Sequence, residues 1–313
     1  MNNYITLSDI ENLEELIKEA IQLKKENSAA GLGKGKTLGM LFFNPSLRTR
    51  LSTEKAAKLL GMEVMVMNAD KDGWALEFED GAVMDSNKAE HIKEAAAVLS
   101  QYCDIIAVRA FPELKEREKD EAELVINNFT KYASVPVVNL ESATGHPLQA
   151  LTDAITISEL KKSKRPKVVL TWAPHPKALP QSVPNSFAEI MQKSNVDFVI
   201  TNPEAYDLNP NITKEVSIVH NQQEALKDAD FVYVKNWSSY QQYGQSPKVE
   251  ENWTLTGEKL KATNNAKVMH CLPVRRNVVI ADEVLDSYNS VVIHQANNRT
   301  FAAQAVLKSL LKK

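Results

Sequence analysis

The chain has 313 residues, 43% hydrophobic and 25% charged, proportions of an ordinary globular protein that predict two domains and a core needing no staples. Its 37 Lys and Arg against 40 Asp and Glu leave a net charge of −3, which disfavours a general nucleic-acid or membrane-surface role while leaving room for a basic pocket around a small anion. Cys103 and Cys271 make neither a ligand pair nor a disulfide framework, the acidic amphipathic N-terminus does not read as a signal peptide, and no apolar run reaches the ~18 residues of a membrane span, so the expected location is cytoplasmic.

Ser8 and Glu11 form a capping-box pattern ahead of Leu13, Leu16, Ile17, Ala20 and Ile21, which predicts an amphipathic opening helix. The apolar run 37–43 predicts a strand, Asn44-Pro45-Ser46 a polar break, and 48–60 a helix stopped by Gly61. Residues 62–67 read as a second strand. Helix 88–102, strand 104–108, helix 121–132 and strand 135–140 continue the alternation, and 146–162 is a long amphipathic helix. Strands follow at 167–171, 197–201, 230–234, 267–270 and 290–293, and a helix closes the chain from Asn297 to Leu311.

Short apolar strands alternating with helices predict parallel sheets covered on both faces. The expected fold is therefore α/β, with two doubly wound parallel-sheet domains joined by the long helix. The expected boundaries are 1–145, with the closing helix 297–313 packing back on it, and 146–296. Two loops stand out. One, 69–86, is long and acidic and carries Trp74; the other, 173–185, is stiffened by Pro174, Pro176, Pro180 and Pro184. Ligands of such folds bind beyond the carboxyl ends of the strands.

Residues 30–37, Ala-Gly-Leu-Gly-Lys-Gly-Lys-Thr, fit a relaxed phosphate-loop pattern, but a helix precedes them and a strand follows, the reverse of the order that chemistry needs. Phe43-Asn-Pro-Ser46-Leu47-Arg48-Thr49-Arg50 is better placed. It leaves a strand and opens a helix, whose unpaired N–H groups and positive dipole end suit a phosphate, with hydroxyls and guanidinium groups close by. Taken alone, it is equally an ordinary helix start with two solvated arginines. Arg109 and Glu141 end the following strands. His146-Pro147-Leu148-Gln149 opens the long helix with Pro147 in the first helical position, so the ring of His146 is free to face a polar carbonyl group. Lys235-Asn-Trp237 and His270-Cys271-Leu272-Pro273, followed by Arg275, end further strands. Cys271 is either a nucleophile or an inert thiol; its neighbour His270 points the other way along the strand and is a poor base for it.

Together these segments resemble the aspartate/ornithine carbamoyltransferase family, over essentially the whole chain and in order: Ser46-Leu-Arg-Thr-Arg50, Arg109, His146-Pro-Leu-Gln149 and His270-Cys-Leu-Pro273. The chain departs from the ornithine branch in carrying Leu47 and in lacking its Asp-x-Trp-x-Ser-Met-Gly loop. Lys235-Asn-Trp237, the Trp74 loop, Thr171-Trp-Ala-Pro-His-Pro176 and 271–277 resemble instead the branch acting on N-acylornithines. That resemblance implies transfer of a carbamoyl group from carbamoyl phosphate to a δ-amine in arginine biosynthesis, with no metal or cofactor. Ser46, Leu47, Arg48, Thr49 and Arg109 would hold the phosphate, with Trp74 reaching in from a neighbouring subunit of a homotrimer. His146, Gln149, Cys271 and Leu272 would position the carbamoyl group, with Arg299 nearby. Glu141, His175, Lys235 and Arg275 would meet the acylornithine, and a knotted proline-rich loop would accompany the fold.

In the resembling enzymes the position aligned with Ala89 is Glu in acetyl-specific members and small or apolar in succinyl-specific ones, which implies N-succinylornithine as the acceptor. N-acetylornithine is the alternative, followed by free ornithine. Two other classes stay in view. A cysteine hydrolase using Cys271 and His146 would show a covalent acyl intermediate, and a carbamoyl-phosphate or amino-acid binding module would release no phosphate.

Overall fold

The computed structural model describes residues 1–26 and 28–312. The chain divides into two compact units. The first comprises Met1–Glu113, Glu118–Leu148 and the chain from Arg299 on; the second comprises Leu114–Arg117 and Gln149–Asn298.

In the first unit, α1 (Leu13–Lys25) precedes β1 (Thr37–Phe42), α2 (Arg48–Leu60), β2 (Glu63–Asn68), α3 (Ile92–Tyr102), β3 (Ile105–Arg109), α4 (Leu124–Tyr132) and β4 (Val137–Glu141). The four strands are parallel and lie in the order β2-β1-β3-β4. Every residue of β3 and β4 is buried, as expected of parallel strands covered on both faces, whereas the edge strand β2 is only partly covered. Ile92 and Ala96 of α3 and Ile126 and Phe129 of α4 pack on Leu41, Ile106, Val108 and Val137, each large apolar side chain contributing about 1.5–3 kcal/mol by burial. Gly39 in β1 is required by close approach: a Cβ there would lie 2.5 Å from Cys103 Sγ. The Cys103 thiol is correspondingly buried, and burial pushes its pKa up.

A long helix, α5 (Pro147–Leu160), runs on from the first unit into the second, where β5 (Lys167–Trp172), α6 (Ser182–Gln192), β6 (Asp197–Thr201), β7 (Ser217–Val219), β8 (Phe231–Lys235) and β9 (Lys267–Met269) follow. The five strands are parallel in the order β9-β8-β5-β6-β7. Their core joins Val169, Val232, Val234 and Val268 to Leu226 and Ile280. The last helix, α7 (Val292–Leu311), closes the chain. Both sheets bear out the doubly wound expectation. In the first, the winding direction reverses between β1 and β3; in the second, it reverses between β5 and β8. Those are the crevices where ligands of such sheets bind.

Several local expectations are corrected. The capping box forms at Thr6 and Asp9 around a single 3₁₀ turn, and Asn12 rather than Ser8 caps α1, its side chain accepting from Glu15 N–H. The helix expected over 121–132 is interrupted at Glu123, which takes a left-handed backbone with φ 49°. Residues 290–293 are not a strand. Ser290 makes only a bridge beside β9, and α7 begins at Val292, because Gln295, Asn298, Arg299 and Ala302 are buried at helical spacing. The short strand β7, absent from the expected pattern, takes the sheet edge.

Candidate active site

At the carboxyl ends of the first sheet, β1 ends at Phe42, opposite Arg109 on β3. Between β3 and β4 the register shifts at Val108/Arg109, which places Arg109 opposite Glu141. A one-residue irregularity of this kind re-aims a side chain. Here it aligns the two strand-end charges: Arg109 Nη2 lies 3.0 Å from Glu141 Oε2 and Arg109 Nε lies 3.3 Å from the same oxygen, with both residues buried. Arg109 Nη1 donates to the carbonyls of Asn44 and Pro45, and its guanidinium stacks 4.2 Å from the centre of the Phe111 ring. Arg109 thus braces the 44–45 break, and Asn44 Oδ1 returns a bond by accepting from Phe111 N–H at 2.6 Å.

That break delivers the chain to α2, whose N-cap position is Leu47, with no side-chain cap. The positive pole of this 13-residue helix therefore faces the strand end without a capping side chain from Leu47, a setting that suits an anion. Thr49 is buried in the same turn, and its Oγ1 accepts from Arg299 Nη2 at 2.7 Å. Arg48 and Ser46 are half-buried beside it, while Leu47 is exposed. His146 Nε2 stands 3.7 Å from Glu141 Oε2. The imidazole is nevertheless neutral near pH 7: burial first, then the charges of Arg299 and Arg109, hold its pKa well below the ordinary 6.5. The structure thus gathers Thr49, Arg109, Glu141, His146 and Arg299 into one cluster. Glu141, expected to meet the acylornithine, belongs to this cluster of the first unit, and His175, Lys235 and Arg275 belong to the second unit.

Trp74 and Ala89 lie on a separate pair of segments, joined by the short parallel pairing of Leu76–Glu77 with Glu90–His91 and by the bond from Ala89 N–H to Ala75 O at 3.1 Å. The indole N–H of Trp74 goes to Glu90 Oε2 at 2.7 Å, and the ring is otherwise exposed.

In the second unit, Gln149 Nε2 donates to Asp153 Oδ1 at 2.7 Å, one turn on in α5. The same oxygen accepts from Gln295 Nε2 at 2.7 Å, and Gln295 Oε1 accepts from His270 N–H at 2.9 Å. His270 Nδ1 in turn accepts from Leu272 N–H at 2.7 Å, which ties the ring to the 270–272 backbone. Leu272 has a left-handed φ of 58°, and the Leu272–Pro273 bond is cis. Cys271 is half-buried; its thiol, after burial and the Asp153 carboxylate, helps hold the Tyr233 hydroxyl pKa well above its ordinary value. Asp153 is a fully buried carboxylate in a helix that also buries Gln149, Thr152 and Thr156, and a buried charge needs partners of this kind. Gln295 was missed because the start of its helix was read as strand.

Lys235 is buried at the end of β8 and donates to Asn236 O at 2.9 Å, while Asn236 Nδ2 donates to Ala173 O at 2.7 Å. Those bonds join β8 to the start of the proline-rich loop, at the reversal point of the second sheet. Trp237 is wholly buried and donates its indole N–H to Tyr206 O at 2.7 Å, which makes it a packing residue. Arg275 Nε donates to His175 Nε2 at 3.1 Å. Burial, followed by the smaller effects of Arg275, Lys235 and Lys177, outweighs a backbone bond and lowers the His175 pKa.

Among the described residues, no helix is long and apolar enough to cross a membrane. Two family models match the chain: the carbamoyl-phosphate binding domain of aspartate/ornithine carbamoyltransferases over residues 2–159, and the aspartate/ornithine binding domain over 180–310. An N-succinylornithine carbamoyltransferase of Bacteroides fragilis (strain 638R) is 48% identical, over 100% of this chain and 99% of its own. An N-acetylornithine carbamoyltransferase of Xanthomonas axonopodis pv. citri (strain 306) is 36% identical, over 95% of this chain and 92% of its own. Among solved structures, a glutamate-to-alanine variant of N-acetyl-L-ornithine transcarbamylase, complexed with carbamyl phosphate and N-succinyl-L-norvaline, superposes with a TM-score of 0.93 at 35% identity, covering 99% of this chain and 100% of that one. With strand-end clusters in both sheets and family matches over both halves, the chain belongs to the aspartate/ornithine carbamoyltransferase family and is a carbamoyltransferase.

Proposed function

We propose that the protein transfers the carbamoyl group of carbamoyl phosphate to the δ-amine of N-succinyl-L-ornithine, giving N-succinyl-L-citrulline and phosphate, as a step of arginine biosynthesis. The observation that carries the transfer reading is the cluster at the reversal point of the first sheet. It sets an uncapped helix start beside Arg109, Arg299 and a neutral His146. Ser46, Leu47, Arg48, Thr49 and Arg109 hold the phosphate. His146, Gln149, Cys271 and Leu272 position the carbamoyl group, with Arg299 close to its oxygen. His175, Lys235 and Arg275 take the acyl end of the acceptor, and Glu141 orients Arg109 and His146 as well as meeting the acceptor.

The neutral δ-amine attacks the carbamoyl carbon and a tetrahedral oxyanion forms. The carbon–oxygen bond to phosphate then breaks, and the proton lost by the amine leaves with the phosphate. The rate gain comes from positioning and from donors set where negative charge develops. A neutral imidazole still carries one N–H, which it donates to that oxyanion.

Ala89 supports the succinyl group as the acyl substituent. A glutamate there would repel the distal carboxylate and fill its volume, and the solved structure of the relative with one glutamate replaced by alanine holds an N-succinyl compound. The runner-up, N-acetylornithine, draws on Glu90, the acid one residue further on; its carboxylate is engaged by Trp74. A homotrimer with shared sites is consistent with the exposed apolar side chains Leu47 at the start of α2, Leu51 within it, Met65 on the edge strand β2, and Trp74, each suited to burial against another copy. The deciding experiment supplies carbamoyl phosphate with free, N-acetyl- or N-succinylornithine in parallel and scores the citrulline product. Faster turnover of N-acetylornithine would overturn the acyl assignment, and no product from any acceptor would overturn the transfer reading itself.

A further inference from the structure

Glu141 ends β4 and His146 immediately precedes α5, and the turn Ser142-Ala143-Thr144-Gly145 lies between them. Ser142 N–H donates to Gly145 O at 2.8 Å and closes the turn. The successive N–H groups of Ala143 and Thr144 form an anion-binding concavity of the kind that elsewhere holds phosphate. Here it is filled by a side chain. The Glu123 carboxylate accepts from Thr144 N–H at 2.7 Å and Ala143 N–H at 3.2 Å, from Thr144 Oγ1 at 2.6 Å and from Ser142 Oγ at 2.7 Å. Ser142 Oγ accepts in its turn from Asn139 Nδ2 at 2.9 Å, which ties the assembly to β4. Glu123 reaches this position from a left-handed backbone, φ 49° and ψ 41°, at the start of α4. Such a conformation in a non-glycine residue persists only where its surroundings enforce it, and four charge-assisted hydrogen bonds do so here.

We propose that Glu123 is a positioning residue of the active site: its carboxylate fixes the turn that connects Glu141 to His146, and so sets the aim of the imidazole and of the carboxylate that orients Arg109. This rests on the carbamoyl-transfer reading, in which His146 meets the carbamoyl group. Glutamine at 123 would keep the shape and an acceptor for the Thr144 side, but would turn an N–H donor toward the N–H of Ala143. Aspartate would keep the charge and fall one methylene short of the turn.

The test compares the wild type with Glu123→Gln and Glu123→Asp, in turnover with saturating carbamoyl phosphate and N-succinylornithine, and in deuterium exchange of the peptide covering 141–146. For Glu123→Gln, kcat is expected to fall about 10- to 100-fold, the scale of a small misplacement of a reacting group, with KM for the acylornithine within about threefold of wild type. Exchange should accelerate in 141–146 and stay unchanged in the core strands, and Glu123→Asp should recover part of both effects. Crossed with His146→Ala, the Glu123→Gln loss of kcat should largely vanish, because the two act as one unit. A folded Glu123→Gln enzyme with kcat within about twofold of wild type, or an equal loss of kcat in both backgrounds, would overturn the proposal. If Glu123→Gln does not fold, Thr144→Val removes a single donor and is expected to lower kcat several-fold; full activity there would overturn it as well. A wild type that makes no citrulline product, yet loses exchange protection in 141–146 when Glu123 is changed, would sink the transfer reading and leave the turn assignment standing.

Discussion

Asp153→Asn separates aim from stability in the second unit. Asp153 is fully buried, and its Oδ1 accepts from the side-chain amides of Gln149 and Gln295 at 2.7 Å each. Asparagine keeps that oxygen in place and removes the charge. A hydrogen bond to a charged group contributes about 1.5–3 kcal/mol and a neutral one about 0.5–1.5, so each bond weakens by about 1 kcal/mol and the pair by about 2. The buried charge had its own desolvation cost, which its removal relieves, so the unfolding midpoint should move little. The loss should appear in the aim of Gln149 and of the 270–272 backbone, as a fall in kcat of about tenfold to thirtyfold, since about 1.4 kcal/mol is a factor of ten. Asp153→Ala behaves differently. It leaves two buried amide donors without their acceptor, at about 1–3 kcal/mol each, and should lower the urea midpoint as well as kcat. Steady-state turnover and urea unfolding, measured on both variants, give the answer. Wild-type kcat in a folded Asp153→Asn enzyme, or an Asp153→Ala protein as stable as wild type, would show that the network does not set the site.

Three further outcomes follow from the same geometry. His146 is held neutral, with its pKa well below 6.5, by burial and by Arg299 and Arg109. The unfolded chain binds a proton near pH 6.5 and the folded chain does not, so the stability present above that pH is lost as pH falls toward the folded value. Thermal midpoints of the wild type should therefore drop more steeply below pH 6.5 than those of His146→Gln, and parallel curves would contradict the assignment. Cys271→Ser should retain turnover, because the thiol is given no covalent step, and an acyl-thioester trapped in the wild type would favour the hydrolase reading instead. Ala89→Glu should shift preference toward N-acetylornithine by about ten- to a hundredfold, a like-charge penalty of about 1–3 kcal/mol at an exposed position; an unchanged ratio of the two acceptors would remove Ala89 from the specificity argument.

The sheets were legible in the sequence because parallel strands are buried on both faces and appear as unbroken apolar runs, as Ile105–Val108 and Phe231–Val234 do. The charged residues at their carboxyl ends were legible for the same reason: Arg109 and Lys235 each follow such a run directly, and Glu141 follows 137–140, interrupted only at Asn139. What stayed hidden depends on partners distant in the chain. No local pattern marks Arg109 as the ion-pair partner of Glu141, since the pairing follows from a register shift between strands. Glu123 reads as an ordinary surface acid within a helix, and only its left-handed backbone and the 142–145 turn give it a task. Residues 290–293 misled because two adjacent valines look like strand wherever the polar residues beyond them are taken for surface. Gln295 and Asn298 are buried, and it is their burial that makes the segment helical.

Two segments of the first unit compete on composition for a phosphate, the glycine-rich 30–37 and the strand end 44–50, and they lie at opposite ends of α2. Gly31 and Gly35 take left-handed backbones, with φ 87° and 76°. Gly33 N–H donates to Leu60 O at 2.8 Å, so this loop satisfies a carbonyl at the C-terminal end of the helix. Gly61, with φ 84°, packs directly against Gly31, where a Cβ would come within 3.1 Å of the Gly31 Cα. Gly33 and Gly61 are therefore accounted for by close packing, and Gly31 and Gly35 by their left-handed backbones. The helix end they brace carries the negative pole of the helix dipole, where a phosphate is disfavoured. At the other end, the N-cap residue Leu47 makes no side-chain cap, and the positive pole meets Thr49, with Arg299 bonded to it. Residue types alone do not separate the two segments. The order of strand and helix does, because it decides which pole of α2 each segment meets.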